Sequence, residues 1–333
     1  MKKKPVILVV VFVILVIFIN QVANFLLVQP GLARTMFHEC GQGGYDCVIL
    51  GASHGSYGLS PEEINEKTGY NTMNMCIGGE YLYDSYYVLK YAIKHNELKT
   101  VILDVDYQYL VNQHDESILF NNVYNAYPNN LDKLGYFAEK MAWEEYRGTF
   151  LRWTNYWQCY KYMGKTVKKK LSKEYKNYDA SVVSMNQADT YVGNGFVSRS
   201  RSSAKSSTSC IEWDESKVSS EEIQNIKDIV SLCRKKNINI IFTTVCQDPD
   251  TVNSQADKFK GANDYIKKLA DELGVEYYNF NYLKQSVFER TTDDFYDKEG
   301  HMYGDTARRF SSIYGDVIRK SLDGSLNVTE YFE

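Results

Sequence analysis

Residues 5–33 carry no charge. After Lys2, Lys3 and Lys4 the next charged side chain is Arg34, and Pro5 to Ile19 is apolar throughout. Such a run does not fit the surface of a water-soluble domain. As a helix, residues 5–28 cover about 36 Å at ~1.5 Å per residue, enough for a hydrocarbon core of roughly 30 Å. The segment therefore reads as a membrane-spanning anchor or a signal peptide. No small-x-small cleavage site follows, and Asn20, Gln21 and Asn24 lead on into Phe25-Leu26-Leu27-Val28, which favours an uncleaved anchor. The basic residues before it predict a cytoplasmic N-terminus by the positive-inside bias. The rest of the chain is then expected outside the cytoplasm, held to the cell membrane by a single pass.

The remainder has the composition of a globular protein. Of 333 residues, 44% are hydrophobic and 24% charged, and the mean hydropathy is −0.41, which excludes a polytopic membrane protein and wholesale disorder. The net charge is −4, and setting aside the three N-terminal lysines takes it to −7. There is no basic excess to neutralise a phosphate backbone, so nucleic acid is not an expected partner. Seven cysteines, odd in number, widely scattered and with no C-x-x-C pair, indicate neither a zinc site nor a disulfide framework. Cys40 and Cys47 are near enough in sequence to bridge in an oxidising compartment, and the others read as small buried hydrophobes. Neither a metal nor a cofactor is expected. The composition stands out in its 28 tyrosines, rings with a polar tip that suit carbohydrate clefts, protein interfaces and the membrane boundary.

Periodicity divides the chain into an anchor with its basic tip (1–28), a Gly-rich linker (29–44) and one domain (45–333). Tyr45–Leu50, Asn71–Met75 and Thr100–Val105 read as short buried strands, with a helix over Tyr81–His95 between the second and third. Alternation resumes with a helix from Ser219 to about Lys235, a strand over Asn237–Val245, a helix from about Ala262 to Leu273, a strand over Val275–Phe280 and a last helix from Thr306 to about Leu322. Strands alternating with helices predict right-handed crossovers and a doubly wound α/β domain with a mainly parallel, five-stranded sheet. The pattern breaks over about 109–210, which reads as a mostly helical insertion. It holds an aromatic stretch from Tyr136 to Tyr162 with Trp143, Trp153 and Trp157, a basic run over Lys165–Lys173, and a Ser-rich loop over 198–207. The basic run reads as a solvated helix face or as a contact for anionic lipid or polymer.

In parallel sheets ligands bind beyond the carboxyl ends of the strands. The first strand delivers Gly51-Ala52-Ser53-His54-Gly55-Ser56-Tyr57-Gly58, a Ser at a strand-to-helix turn among small residues, where backbone N–H groups can serve an oxyanion. The G-K-[ST] ending of a phosphate loop is absent, as is G-x-G-x-x-G. Before the last helix stands Asp297-Lys298-Glu299-Gly300-His301, a histidine with a carboxylate at hand to fix its tautomer. Asp294 and Glu299 are alternatives for that acid.

With Ser53 after the first strand and Asp297 and His301 before the last helix, the chain resembles the SGNH (GDSL-like) hydrolase superfamily. The resemblance is to its membrane-anchored cell-envelope branch, the D-alanyl-lipoteichoic-acid biosynthesis protein D-like and alginate O-acetyltransferase-like proteins. Gly51-Ala52-Ser53 resembles the nucleophile motif, and His54 is a residue that often follows it in that branch. Asn74-Met75-Cys76-Ile77-Gly78-Gly79 resembles the second motif, whose glycine N–H completes the oxyanion hole. Three features depart from the pattern, the first being Cys76, which stands where a glycine is common. Asp104-Val105-Asp106-Tyr107 stands where the family has Gly-x-Asn-Asp, and Asp297 and His301 are four apart where three is usual.

The resemblance implies a Ser53–His301–Asp297 acyl-enzyme mechanism, with Gly78, Gly79, Asn74 and His54 around the oxyanion and substrate. It implies a serine O-acyltransferase or esterase acting on a cell-envelope glycan or teichoic polymer, with a membrane-bound O-acyltransferase as a candidate acyl donor. The aromatic insertion would then shape an acceptor cleft. The departures leave a second reading, an envelope assembly or glycan-binding protein that keeps the fold and has lost efficient catalysis.

Overall fold

The computed structural model describes residues 3–111, 121–143, 146–201, 205–208, 210 and 212–333. Its first elements are helices α1 (Lys3–Leu27) and α2 (Leu32–Gly41), strand β1 (Cys47–Leu50), helices α3 (Ser53–Gly58) and α4 (Pro61–Thr68), strand β2 (Thr72–Asn74), helix α5 (Leu82–His95) and strand β3 (Thr100–Asp104). Short helical turns follow, then helix α6 (Met163–Leu171) and strands β4 (Asp189–Gly193) and β5 (Phe196–Arg199). The last long elements are helix α7 (Ser220–Lys235), strand β6 (Asn239–Thr244), helix α8 (Ala256–Leu273), strand β7 (Glu276–Asn279) and helix α9 (Gly304–Leu322). They fall into two compact units, residues 1–35 with 115–184 and residues 36–114 with 185–333.

In the larger unit β1, β2, β3, β6 and β7 form one wholly parallel sheet in the order β2-β1-β3-β6-β7. Counted among themselves the strands run 2-1-3-4-5, a doubly wound order. The inner strands are continuous apolar runs because helices cover both faces. Ile49, Ile102 and Ile241 stand side by side across β1, β3 and β6 and pack with Phe280, Phe310 and Tyr314 in one buried cluster. Phe310, Tyr314, Val317 and Ile318 recur at three- and four-residue spacing on α9 and are buried, so one stripe of that helix closes this face. α5 and α7 pack against each other on the sheet. Ser219 begins α7 by accepting a hydrogen bond from the Glu222 N–H, and Gly274 ends α8 in the left-handed conformation.

The five expected strands are all present, and three features differ from the expectation. Residues 32–41 of the linker are helical, because Met36, Phe37 and Cys40 give α2 a buried face. The insertion is not helical throughout: β4 and β5 form an antiparallel hairpin, turning at Asn194 (φ 48°) and Gly195 (φ 88°). Two successive positive φ angles make the tight turn for which Asn-Gly is suited. Ser198 and Arg199, expected in the Ser-rich loop, lie in β5, whereas 202–204 of that loop lie outside the described residues. The hairpin tip covers the free edge of β2, where the Asn74 N–H donates to the Asn194 carbonyl oxygen at 2.9 Å. Cys40 and Cys47 are both buried and not bridged.

In the smaller unit, α1 is the one helix among the described residues long and apolar enough to cross a membrane. Val6 to Ile19 have no protein around them, with exposures from 46% to 69%. From Asn20 onward one side of the helix is covered, while Val22 and Phe25 stay 40% exposed. The Asn20 amide donates to the Phe150 carbonyl oxygen at 2.8 Å, and the Trp153 N–H donates to Asn24 Oδ1 at 3.0 Å. Lys170 Nζ donates to the carbonyl oxygens of Asn24 and Phe25 at 2.9 and 2.8 Å, a cation placed at the negative end of the helix dipole. Arg34 lies over the rings of Tyr175 and Tyr178 at 4.0 and 3.7 Å.

Candidate active site

The site lies at the carboxyl ends of β1, β3 and β6. Ser53 opens α3 two residues after Gly51, whose φ is 152°. A Cβ on Gly51 would come within 2.8 Å of the Asp104 Cβ, so the turn leaves no room for a side chain. A Cβ at Gly55 would likewise collide with Cys76 Sγ. The chain turns here within the space of two glycines, and Ser53 is left partly exposed.

His301 Nε2 lies 2.8 Å from Ser53 Oγ, and His301 Nδ1 lies 2.8 Å from Asp297 Oδ2. Asp297 Oδ1 accepts the Gly300 and His301 N–H groups at 2.9 and 3.1 Å. Burial raises the Asp297 carboxyl, but the hydrogen bonds and charge from His301 outweigh it and hold the group below its ordinary value. An ionised Asp297 fixes the proton of His301 on Nδ1 and leaves Nε2 to accept from Ser53. The four-residue spacing closes because Gly300 (φ 111°) sits against the Gln247 backbone, where a Cβ would come within 2.8 Å of Gln247 Cα. Asp294 is engaged elsewhere, with Arg201, Thr306 and Arg309.

The other expected residues divide. Gly78 flanks Ser53, and a Cβ on it would lie 4.0 Å from the Ser53 Cβ. Gly79, at φ 79°, completes the turn, which buried Glu80 pins by accepting the Ile77 N–H at 3.1 Å and pairing with Ser85 Oγ at 2.5 Å. Asn74 is not turned toward the substrate side: its amide donates to the Gly55 and Leu59 carbonyl oxygens at 2.9 and 2.8 Å, and its Oδ1 accepts the Cys76 N–H at 3.0 Å. It clamps α3 with both of its amide hydrogens.

His54 too is turned away from the Ser53 hydroxyl. It is 3% exposed, with Nδ1 2.8 Å from Asp106 Oδ2 and Nε2 3.1 Å from the Glu299 carbonyl oxygen. Neither an ionised carboxylate nor a carbonyl has a proton to give, so both contacts are hydrogen bonds only when the ring carries both protons. Burial alone would lower His54, but the charge and hydrogen bond of Asp106 prevail and push it up to about 10. His54 is therefore a buried imidazolium, and its ring stacks on that of His301 at 4.8 Å between centroids. Asp106 is held below its usual range, since His54 and the Gln108 amide outweigh the effect of burial. Asp104 rises to about 7, through burial and the neighbouring Asp106, and accepts the Val245 N–H at 2.9 Å.

Two further groups, Tyr57 and Arg199, escaped the sequence reading. Tyr57 meets the His301 ring edge-on at 5.5 Å. Arg199 of β5 lies over the Tyr57 ring at 4.4 Å and over Tyr296 at 4.0 Å, and forms a bidentate pair with Asp189 at 2.6 and 2.9 Å. The Asn-Gly turn was the one signal that could have found this hairpin. Asp297, Glu299 and His301 bring ligand-type atoms within 4.8 Å of one another, the one such group among the described residues. A cation held there would take one ring nitrogen of His301 out of the line from Asp297 to Ser53.

No protein-family model matches the sequence, and no curated protein matches it. Among solved structures the chain is similar to a "putative acylhydrolase" from Bacteroides fragilis, at 8% identity over 85% of this chain and 88% of that one, with a TM-score of 0.36. It is also similar to a GDSL-like lipase from Bacteroides thetaiotaomicron, at 11% identity over 93% of this chain and 98% of that one, with a TM-score of 0.38.

Proposed function

We propose that this chain is a membrane-anchored, extracytoplasmic serine acyl-transfer enzyme, an esterase or O-acyltransferase acting on a cell-envelope polysaccharide or teichoic polymer. The observation that carries the chemistry is the unbroken line Ser53 Oγ, His301 Nε2, His301 Nδ1, Asp297 Oδ2, with 2.8 Å at each junction. The charge-free part of α1 from Pro5 onward, behind a run of lysines, supports the anchor and its orientation.

Ser53 Oγ attacks the ester carbonyl carbon as His301 Nε2 takes its proton, and Asp297 stabilises the resulting imidazolium. The oxyanion is received by the backbone N–H groups of Ser53 and of Gly78 or Gly79. Collapse breaks the bond to the alcohol, which leaves with the proton from His301, and Ser53 holds the acyl group. His301 then deprotonates water, giving an esterase, or an acceptor hydroxyl, giving a transferase, and Ser53 recovers its proton. A membrane-bound O-acyltransferase is a fitting donor of the acyl group to Ser53.

The test is turnover of a small aryl acetate, with covalent labelling by a fluorophosphonate, on the full chain in detergent. Ser53→Ala should abolish labelling. Both Ser53→Ala and His301→Ala should lower turnover by roughly 10³-fold or more, the scale at which triad members fail. Unchanged labelling in Ser53→Ala overturns the nucleophile. An unlabelled, inactive wild type, supplied also with an acyl donor, supports the non-catalytic reading instead.

A further inference from the structure

We propose that the segment from Phe150 to Leu171 is a membrane collar, a belt of aromatic and basic side chains seated in an anionic lipid leaflet around the end of α1. The inference rests on reading α1 as an uncleaved anchor.

The bare part of α1, Lys4 to Ile19, has sixteen residues, about 24 Å at ~1.5 Å per residue. That falls about 6 Å short of a hydrocarbon core of roughly 30 Å. With Lys4 at one headgroup level, the opposite boundary falls beyond Ile19, among the turns that protein covers on one side. Tilting α1 shortens its projection and draws those turns deeper. The groups bonded to Asn20, Asn24 and Phe25 belong to Phe150, Trp153 and Lys170, so the segment that carries them lies at the boundary depth.

Its surface suits that depth. Phe150, Trp157 and Tyr160 are 55%, 58% and 65% exposed, large for rings in water and ordinary at a headgroup boundary. The main chain runs as 3-10 turns from Arg152 to Tyr162 directly into α6, which pairs its polar groups internally as a lipid environment requires. α6 adds Lys165 and Lys168, both exposed, cations that match anionic headgroups. The aromatic excess of this segment is then a lipid contact and not an acceptor cleft for polymer.

The test uses the full chain reconstituted into vesicles whose lipids carry bromine either near the headgroup or near the bilayer midplane, with alkaline carbonate extraction run in parallel. Shallow bromine should quench a component of tryptophan emission that falls by roughly a third in Trp157→Phe and is unchanged in Trp213→Phe, whose indole is buried in the other unit (4% exposed). In Lys165→Glu/Lys168→Glu the added quenching seen on going from zwitterionic to anionic vesicles should disappear; added quenching that persists overturns the headgroup assignment. Carbonate-resistant protein with no Trp157-dependent quenching overturns the collar and leaves the anchor standing. Protein extracted by carbonate overturns both.

Discussion

His301 is flanked by two groups of opposite charge, Asp297 at its Nδ1 and the His54 imidazolium against its ring face, and the second pair has its own cost. His54 and Asp106 are buried at 3% and 4% side-chain exposure, so removing one partner leaves a buried charge uncompensated. His54→Gln alone should destabilise the larger unit by about 3–5 kcal/mol, and His54→Gln/Asp106→Asn should recover most of that loss. The pH dependence has a definite sign. The folded state raises His54 from 6.5 to about 10, so its contribution is complete below pH about 6.5 and is lost as pH rises through about 10. The difference in urea midpoint between wild type and the double variant, followed by emission of the buried Trp213, should shrink across that window. A difference constant from pH 6 to 10 would mean that His54 is neutral. Asp104, raised to about 7, loses its contribution over a lower window, as pH rises from its ordinary value of 3.8 through about 7.

At the scale of elements, the β4–β5 hairpin does two things: its tip covers the edge of β2, and its last residue, Arg199, holds Tyr57 against His301. Gly195 permits the first, because a Cβ there would run into the Asn74 carbonyl at a φ of 88°. Gly195→Val should cost about 1–3 kcal/mol in backbone strain alone, and more through that collision. A urea midpoint equal to wild type would show that the hairpin is not seated on β2. What could be read in the sequence follows from the same physics. Strands buried on both faces announce themselves as apolar runs, and all five were legible. Ser53 and His301 were legible because each follows or precedes an identifiable element among glycines. The His54–Asp106 pair was not, because it exists only once β1 and β3 are neighbours, and neither run states its partner. α2 was hidden by its brevity, and Asn74 by the ambiguity of a buried amide, which can serve a substrate or the backbone equally well.

On the scale of the whole molecule, the sheet, Ser53, His301 and Asp297 all belong to one unit, and α1 with its wrapping segment to the other. A chain lacking residues 1–28 should therefore keep its turnover of a small aryl acetate within about two-fold, since Ser53, His301 and Asp297 bond to one another within the larger unit. Its Trp153 backbone loses Asn24, and the tryptophan emission should shift to the red. Loss of turnover in a chain whose Trp213 remains buried would show that the two units are functionally coupled. The separation of Ser53 from His301, 248 positions along the chain, has a consequence during synthesis. The nucleophile is made early, while its base is among the last residues of the unit to emerge. A nascent or prematurely terminated chain carries a serine hydroxyl with nothing to deprotonate it. Acyl transfer then begins only after β7 and α9 have closed the sheet, so turnover itself reports completed folding.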